Sequence, residues 1–202
     1  MLIDHFHSRT VLSRRVRVIA RHLAAVAPRE AEILDVGCGD GQVAKLLLGQ
    51  RPDLKLSGCD VLRREHTAIP VDLFDGTTLP QAEGTKDAVM LIDVLHHTAD
   101  PLGLLREAVR VSRCWIIIKD HTREGLAARG TLRFMDWVGN DRFGGALPYH
   151  YWTEAQWQAA FAELNLKPVR ADTALGLYPW WANWIFGRRL HFLTLLEKPP
   201  RG

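Results

Sequence analysis

Residues 33–47 read ILDVGCGDGQVAKLL. The run up to Val36 is short, mostly apolar and closed by glycines, the signature of a buried strand. From Gln42 the apolar residues fall at helical spacing. Between the two lie Gly37, Gly39 and Gly41 in a DxGxGxG turn. Glycines at such a junction allow positive φ and let a ligand approach the backbone where the helix begins. A dinucleotide fingerprint would read GxGxxG, and Gln42 holds the place of its third glycine, which disfavours a nicotinamide oxidoreductase.

Upstream of the turn, residues 8–27 set Val11, Leu12, Val16, Ile19, Leu23 and Val26 at helical spacing among Arg14, Arg15, Arg17 and Arg21. This reads as an amphipathic lead-in helix with a basic solvated face, ended by Pro28. Downstream, LKLSGCD (54–60), AIPVDLF (68–74), DAVMLID (87–93) and CWIIIKD (114–120) read as strands. DPLGLLREAVRVS (100–112) reads as a helix with Asp100 as N-cap and Pro101 at its first position, and TEAQWQAAFAEL (153–164) as another capped by Thr153. LKPVRADT (166–173) and RLHFLTLLEK (189–198) form a hairpin-like edge. The alternation predicts an α/β fold: a doubly wound, Rossmann-like, mostly parallel seven-stranded sheet with helices on both faces and the last strand antiparallel. Residues 1–202 are expected to form one domain, with a core at 31–120 and covering segments at 121–152 and 174–188.

Composition narrows the classes. The 202 residues are 47% hydrophobic and 24% charged with formal net charge +3, and Lys and Arg are scattered, so no nucleic-acid footprint emerges. Cys38, Cys59 and Cys114 have no CxxC spacing, which argues against a disulfide framework or zinc site and fits a reducing, cytoplasmic setting. No apolar run approaches bilayer-spanning length, so no stable membrane insertion is expected.

A compact ligand with an amino-acid tail and a sulfonium cation suits a glycine turn with Asp35 or Asp40 beside it. From Ile33 to Asp120 the chain resembles the class I S-adenosylmethionine-dependent methyltransferases, in particular the small-molecule group with LDVGCGxG followed by DVLHH. The resemblance implies S-adenosyl-L-methionine as cofactor, its methionine part wrapped by Asp35, Gly37, Cys38 and Gly39, with Asp40 and Gly41 completing the loop. It puts Asp60 on the ribose hydroxyls, Val61 and Leu62 under adenine, Asp75 on the adenine amino group with Gly76 in the turn behind it, and Ile92 and Asp93 along the cofactor.

Ligands of such sheets lie at the carboxyl ends of the strands. DVLHH and KDH therefore offer His97, His121 and His96, in that order, as general bases; each has a competing role in packing its loop. Adjacent histidines are not metal spacing, and no metal is expected. Tyr149 and Tyr151, and Trp180 and Trp181 among the aromatics 178–186, are either core packing or the wall of an acceptor site. The expected activity is methyl transfer to a small apolar or aromatic acceptor, which includes lipid-like molecules, with O-methylation favoured. The alternative is a non-catalytic partner subunit that binds the same cofactor; no feature indicates a protein partner.

Overall fold

The computed structural model describes residues 2–124, 128, 130–133, 150–179 and 190–199, with side chains from residue 14 onward. Its strands are β1 (Glu32–Val36), β2 (Lys55–Asp60), β3 (Val71–Leu73), β4 (Lys86–Ile92), β5 (Ser112–His121), β6 (Lys167–Asp172) and β7 (His191–Glu197). They form one seven-stranded sheet in the order β3-β2-β1-β4-β5-β7-β6. The pairings from β3 to β5 are parallel, and β7 runs antiparallel to both β5 and β6. This is the predicted doubly wound arrangement.

Strand alternation sorts the core into two layers. Ile33, Ala88, Met90 and Ile117 pack with Val18, Ile19, Leu23 and Leu47, from α1 (Leu2–Val26) and α2 (Gln42–Gln50). Leu34, Val89, Leu91, Ile116 and Ile118 face the other way, against Leu104, Leu105, Trp157 and Phe161 of α3 (Pro101–Val111) and α4 (Glu154–Glu163). The caps read from sequence are present. Asp100 accepts from the Gly103 N–H, and Thr153 and Gln156 form a capping box.

Two boundaries differ from the reading of the sequence. The first helix starts at Leu2 rather than at residue 8, because residues 2–7, LIDHFH, contain neither Pro nor Gly to stop it. β3 is three residues long rather than seven, because Pro70 has no N–H to give the ladder; its carbonyl still accepts from Gly58 at 2.8 Å. A one-turn 3₁₀ segment, Leu95–His97, follows β4.

The strand order reverses between β1 and β4, so the crevice for a ligand opens at their carboxyl ends. None of the described helices is long and apolar enough to cross a membrane.

Candidate active site

The glycine turn sits at that switch point. Gly37, Gly39 and Gly41 have φ of 68°, 59° and 76°, the left-handed region that side chains other than glycine rarely enter. Two of them are also pressed by neighbours. A Cβ at Gly37 would lie 2.6 Å from Val94 Cγ2, and one at Gly41 would lie 2.9 Å from Ile69 Cγ1. A Cβ at Gly39 would meet nothing within 4 Å, so Gly39 presents bare backbone to the crevice.

Asp60, at the end of β2, ties this turn to the next one. Its two carboxylate oxygens accept from the Gly39 N–H at 2.8 Å and the Leu62 N–H at 2.9 Å, and each keeps lone-pair capacity. Val61 and Leu62 follow with half their surface exposed. Gly76 closes on them, since a Cβ there would stand 3.3 Å from Val61 Cγ1. Asp75 is exposed, and one of its oxygens accepts from the N–H groups of Thr77 and Thr78, both at 2.7 Å. Those bonds hold its carboxyl below the usual range.

Asp35 is buried within β1, and burial, reinforced by Asp60, raises its pKa to about 8. The Cys38 side chain turns back onto the sheet, where it leaves no room for a Cβ at Gly58. Burial and the nearby Asp35 and Asp60 push its thiol far up, so it contributes backbone rather than a reactive sulfur.

A second cluster lies beside the first, on the carboxyl ends of β4 and β5. Asp93 follows the half-buried Ile92 in a left-handed conformation, φ 58°, with its N–H bonded to the Lys119 carbonyl at 2.7 Å. Its carboxylate is shared between the buried Lys119 ammonium and the Arg15 guanidinium, the latter at 2.7 Å. Burial pushes the Asp93 carboxyl up, but Lys119 and Arg15 reverse that and hold it well below the usual range. Burial lowers Lys119 to about 8 despite Asp93.

Asp120 organises the histidines. One oxygen accepts from the Leu95 N–H at 3.1 Å, which caps the 3₁₀ turn; the other lies 2.5 Å from His96 Nδ1 and accepts from the His121 N–H at 2.7 Å. The His121 ring nitrogen Nδ1 stands 3.3 Å from that same oxygen and 3.4 Å from His96 Nδ1. A carboxylate only accepts, so His96 carries a proton on Nδ1, and Nε2 is its other ring nitrogen. Burial lowers His97 to about 4 and His121 to about 3, in each case with help from His96. His191, at the start of β7, is also lowered by burial, and it lies 3.4 Å from Lys119 Nζ and 3.4 Å from the Tyr178 hydroxyl.

Ligand atoms of Asp93, His96, Asp120 and His121 lie within 4.8 Å of one another, close enough to invite a metal. Within the chain these groups bond one another and their neighbours. Asp120 accepts from two backbone N–H groups and lies against the His96 and His121 rings, and Asp93 pairs with Lys119 and Arg15.

The predicted residues thus fall into two adjoining groups, one around Gly39 and Asp60 and one around Asp93 and His96. Tyr151 is buried and stacked on His96, ring centroids 5.8 Å apart. Tyr149, Trp180 and Trp181 lie outside the described residues. Sequence reasoning gave Arg15 to a solvated face and assigned nothing to His22. Arg15 instead pairs with Asp93, and His22 is half-buried against the Leu175 carbonyl and Asp172. It also assigned nothing to Lys119, Asp120 or His191. The available signal was charge inside apolar strands, KD after CWIII and His191 in RLHFLTLLEK, at the edge where ligands bind.

A family model described as a methyltransferase domain matches residues 7–171. Curated relatives include the ubiquinone biosynthesis O-methyltransferase of Methylocella silvestris, 36% identical over 111 residues, covering 48% of this chain and 43% of the relative. Another is the 27-O-demethylrifamycin SV methyltransferase of Amycolatopsis mediterranei, 26% identical over 106 residues, covering 45% and 39%. The chain spans less than half the length of these relatives.

Among solved structures, the complex between the Haloferax volcanii Trm112 methyltransferase activator and a methyltransferase contains a similar chain, with TM-score 0.69 and 16% identity over 98% of this chain and 96% of that one. An S-adenosylmethionine-dependent methyltransferase of Thermotoga maritima matches with TM-score 0.67 and 15% identity over 96% of each chain. At these identities the likeness carries the fold, and the family model carries the kinship. The chain belongs to the methyltransferase-domain family.

Proposed function

We propose that this chain is an S-adenosylmethionine-dependent methyltransferase that methylates a hydroxyl of a small apolar or aromatic acceptor, with His96, oriented by Asp120, as general base. The observation that carries the reading is the buried His96–Asp120 pair, 2.5 Å apart, at the ligand edge of the sheet and beside the glycine turn. When bound, S-adenosylmethionine supplies an activated methyl on a sulfonium, so alignment and exclusion of water are the main tasks of the protein. The glycine turn, with its open face at Gly39, and the Asp60 carboxylate offer a fitting cradle for the cofactor. Asp60 would hold the ribose hydroxyls, and Val61 and Leu62 would floor the adenine. Asp75 with Gly76 would close its edge, and the backbone from Gly37 to Gly39 would hold the methionine part.

His96 Nε2 would take the acceptor hydroxyl proton as oxygen attacks, and Asp120 would stabilise the resulting imidazolium. His96 ranks ahead of His97 and His121 because those two hold a proton only near pH 4 and 3, too acidic to compete for one at neutral pH. Tyr151, stacked on His96, supports an apolar or aromatic acceptor. Oxygen as the methylated atom draws support from the names of the curated relatives, one an O-methyltransferase and the other a 27-O-demethylrifamycin SV methyltransferase.

The test is transfer of labelled methyl to a panel of hydroxylated aromatic and lipid-like molecules and small charged ones, read by product mass. The expected result is O-methylated apolar product, with turnover lowered about 10²–10⁴-fold in His96→Gln. Best turnover on a small charged acceptor, or an N-methylated product, would overturn the reading.

A further inference from the structure

We propose that the outer face of α1, carried by Arg14, Arg17 and Arg21, docks the protein on the surface of an anionic lipid bilayer. The choice of a bilayer over other polyanions rests on the reading that the acceptor is apolar.

Charge distribution comes first. The chain has 26 basic and 23 acidic side chains, and α1 holds five of the basic ones, Arg9, Arg14, Arg15, Arg17 and Arg21, against one acid, Asp4. The rest of the chain therefore carries 21 basic and 22 acidic residues, so the positive excess of the whole protein resides in this helix. Arg14, Arg17 and Arg21 are exposed and stand three and four residues apart, on one side of the helix. Ile19, Leu23 and Val26 on the opposite side are in the core, which fixes the arginines outward. None of the three forms an ion pair with another described residue, whereas the exposed Arg106 and Arg113 pair with Glu163 and Asp87. Like charges at these spacings repel one another along a helix, and an external anion relieves the repulsion. The stripe continues past Arg21. Exposed Arg170 of β6 donates to the Ala25 carbonyl at 2.9 Å and adds a fourth guanidinium, about 16 Å along the helix axis from Arg14.

Position selects the partner. Arg14 adjoins Arg15, whose guanidinium reaches Asp93 at the carboxyl end of β4, so the stripe starts beside the mouth of the crevice. A bilayer on this face would hold the crevice close to the phase in which an apolar acceptor dissolves. The apolar side of α1 is committed to the core, so the contact is electrostatic and puts no helix into the hydrocarbon. Each basic residue brought to an anionic leaflet adds about fivefold to binding, and salt screens the attraction.

The test is co-sedimentation of the full chain with vesicles of phosphatidylcholine alone and of an equal mixture with phosphatidylglycerol. Wild type is expected to bind the mixed vesicles and not the neutral ones, with binding that falls steeply as salt is added, a readout that needs no variant. The variant Arg14→Gln/Arg17→Gln/Arg21→Gln is expected to lose about 100-fold in partitioning with its melting temperature kept. A control that removes the same charge elsewhere, Lys55→Gln/Arg106→Gln/Arg113→Gln, is expected to bind like wild type. Equal partitioning of wild type into both vesicles, binding to neither, binding that salt leaves unchanged, or a loss in the control as large as that of the α1 variant overturns the proposal. So does tighter binding of wild type to duplex DNA at the same phosphate concentration. The assay contains neither methyl donor nor acceptor, so an acceptor panel won by a small charged molecule would overturn the acceptor reading while the docking face is judged on the vesicles.

Discussion

Two aspartates beside the glycine turn are held differently. Asp60 accepts from the backbone N–H groups of Gly39 and Leu62, one on each carboxylate oxygen. Asp60→Ala should weaken S-adenosylmethionine binding by one to two orders of magnitude in calorimetry, a loss of about 1.5–3 kcal/mol for hydrogen bonds to a charged group. Asp35 is different, because burial raises its pKa from 3.8 to about 8. Between those values the folded chain holds a proton that the unfolded chain has released, so this carboxyl stabilises the unfolded state increasingly as pH rises. The melting temperature of Asp35→Asn should therefore gain on that of wild type from pH 4 to pH 8 without ligand and then level off. A constant difference across that range would show that Asp35 ionises as freely as an exposed carboxylate.

At the scale of the element, the βα turn combines two demands that substitution can separate. Gly37 and Gly41 satisfy packing as well as positive φ, whereas Gly39 satisfies φ and faces open space. Gly41→Val should lower the melting temperature more than Gly39→Val, through its clash with Ile69 added to backbone strain of order 1–2 kcal/mol. Gly39→Val should carry the strain alone, yet lose cofactor affinity at least as severely because its side chain would occupy the cradle. Thermal melts paired with calorimetry on both variants check this, and equal damage to stability from the two would argue against the open face at Gly39.

For the molecule as a whole, a cluster of histidines buried at one edge sets the acid limit of stability. His97 and His121 are lowered from 6.5 to about 4 and 3, and His191 well below its usual value, all chiefly by burial. The unfolded chain takes up these protons near pH 6.5 and the folded chain only at lower pH, so stability falls as pH drops below 6.5. From pH 6.5 to 4 each such histidine contributes up to about 1.4 kcal/mol per pH unit, and Asp35 opposes them with one group of opposite sign. Denaturant unfolding at pH 7 and pH 5 should show a clear loss at pH 5. His191→Phe, which removes one of these groups, should flatten the slope.

The elements were legible in the sequence because local rules decide them. The strand ending in Val36, the glycine turn, the N-caps Asp100 and Thr153 and the final hairpin each follow from the periodicity or capping chemistry of a few neighbouring residues. The proposed cofactor side was legible for a similar reason, since its turn and Asp60 belong to two consecutive βα units whose order along the chain fixes their order in the sheet. The acceptor side was legible only as a location. DVLHH and KDH could be placed at the carboxyl edge, but which histidine meets a carboxylate depends on β4 and β5 lying side by side, with His96 and Asp120 24 residues apart in sequence. Arg15 and Asp93, 78 residues apart, and Lys119 and His191, 72 apart, meet only when α1 and β7 close on that edge. Sequence by itself thus determined the sheet, its turn and the family resemblance. Tertiary structure decided which charges neutralise one another, because burial and pairing are properties of the packed whole that no local pattern carries.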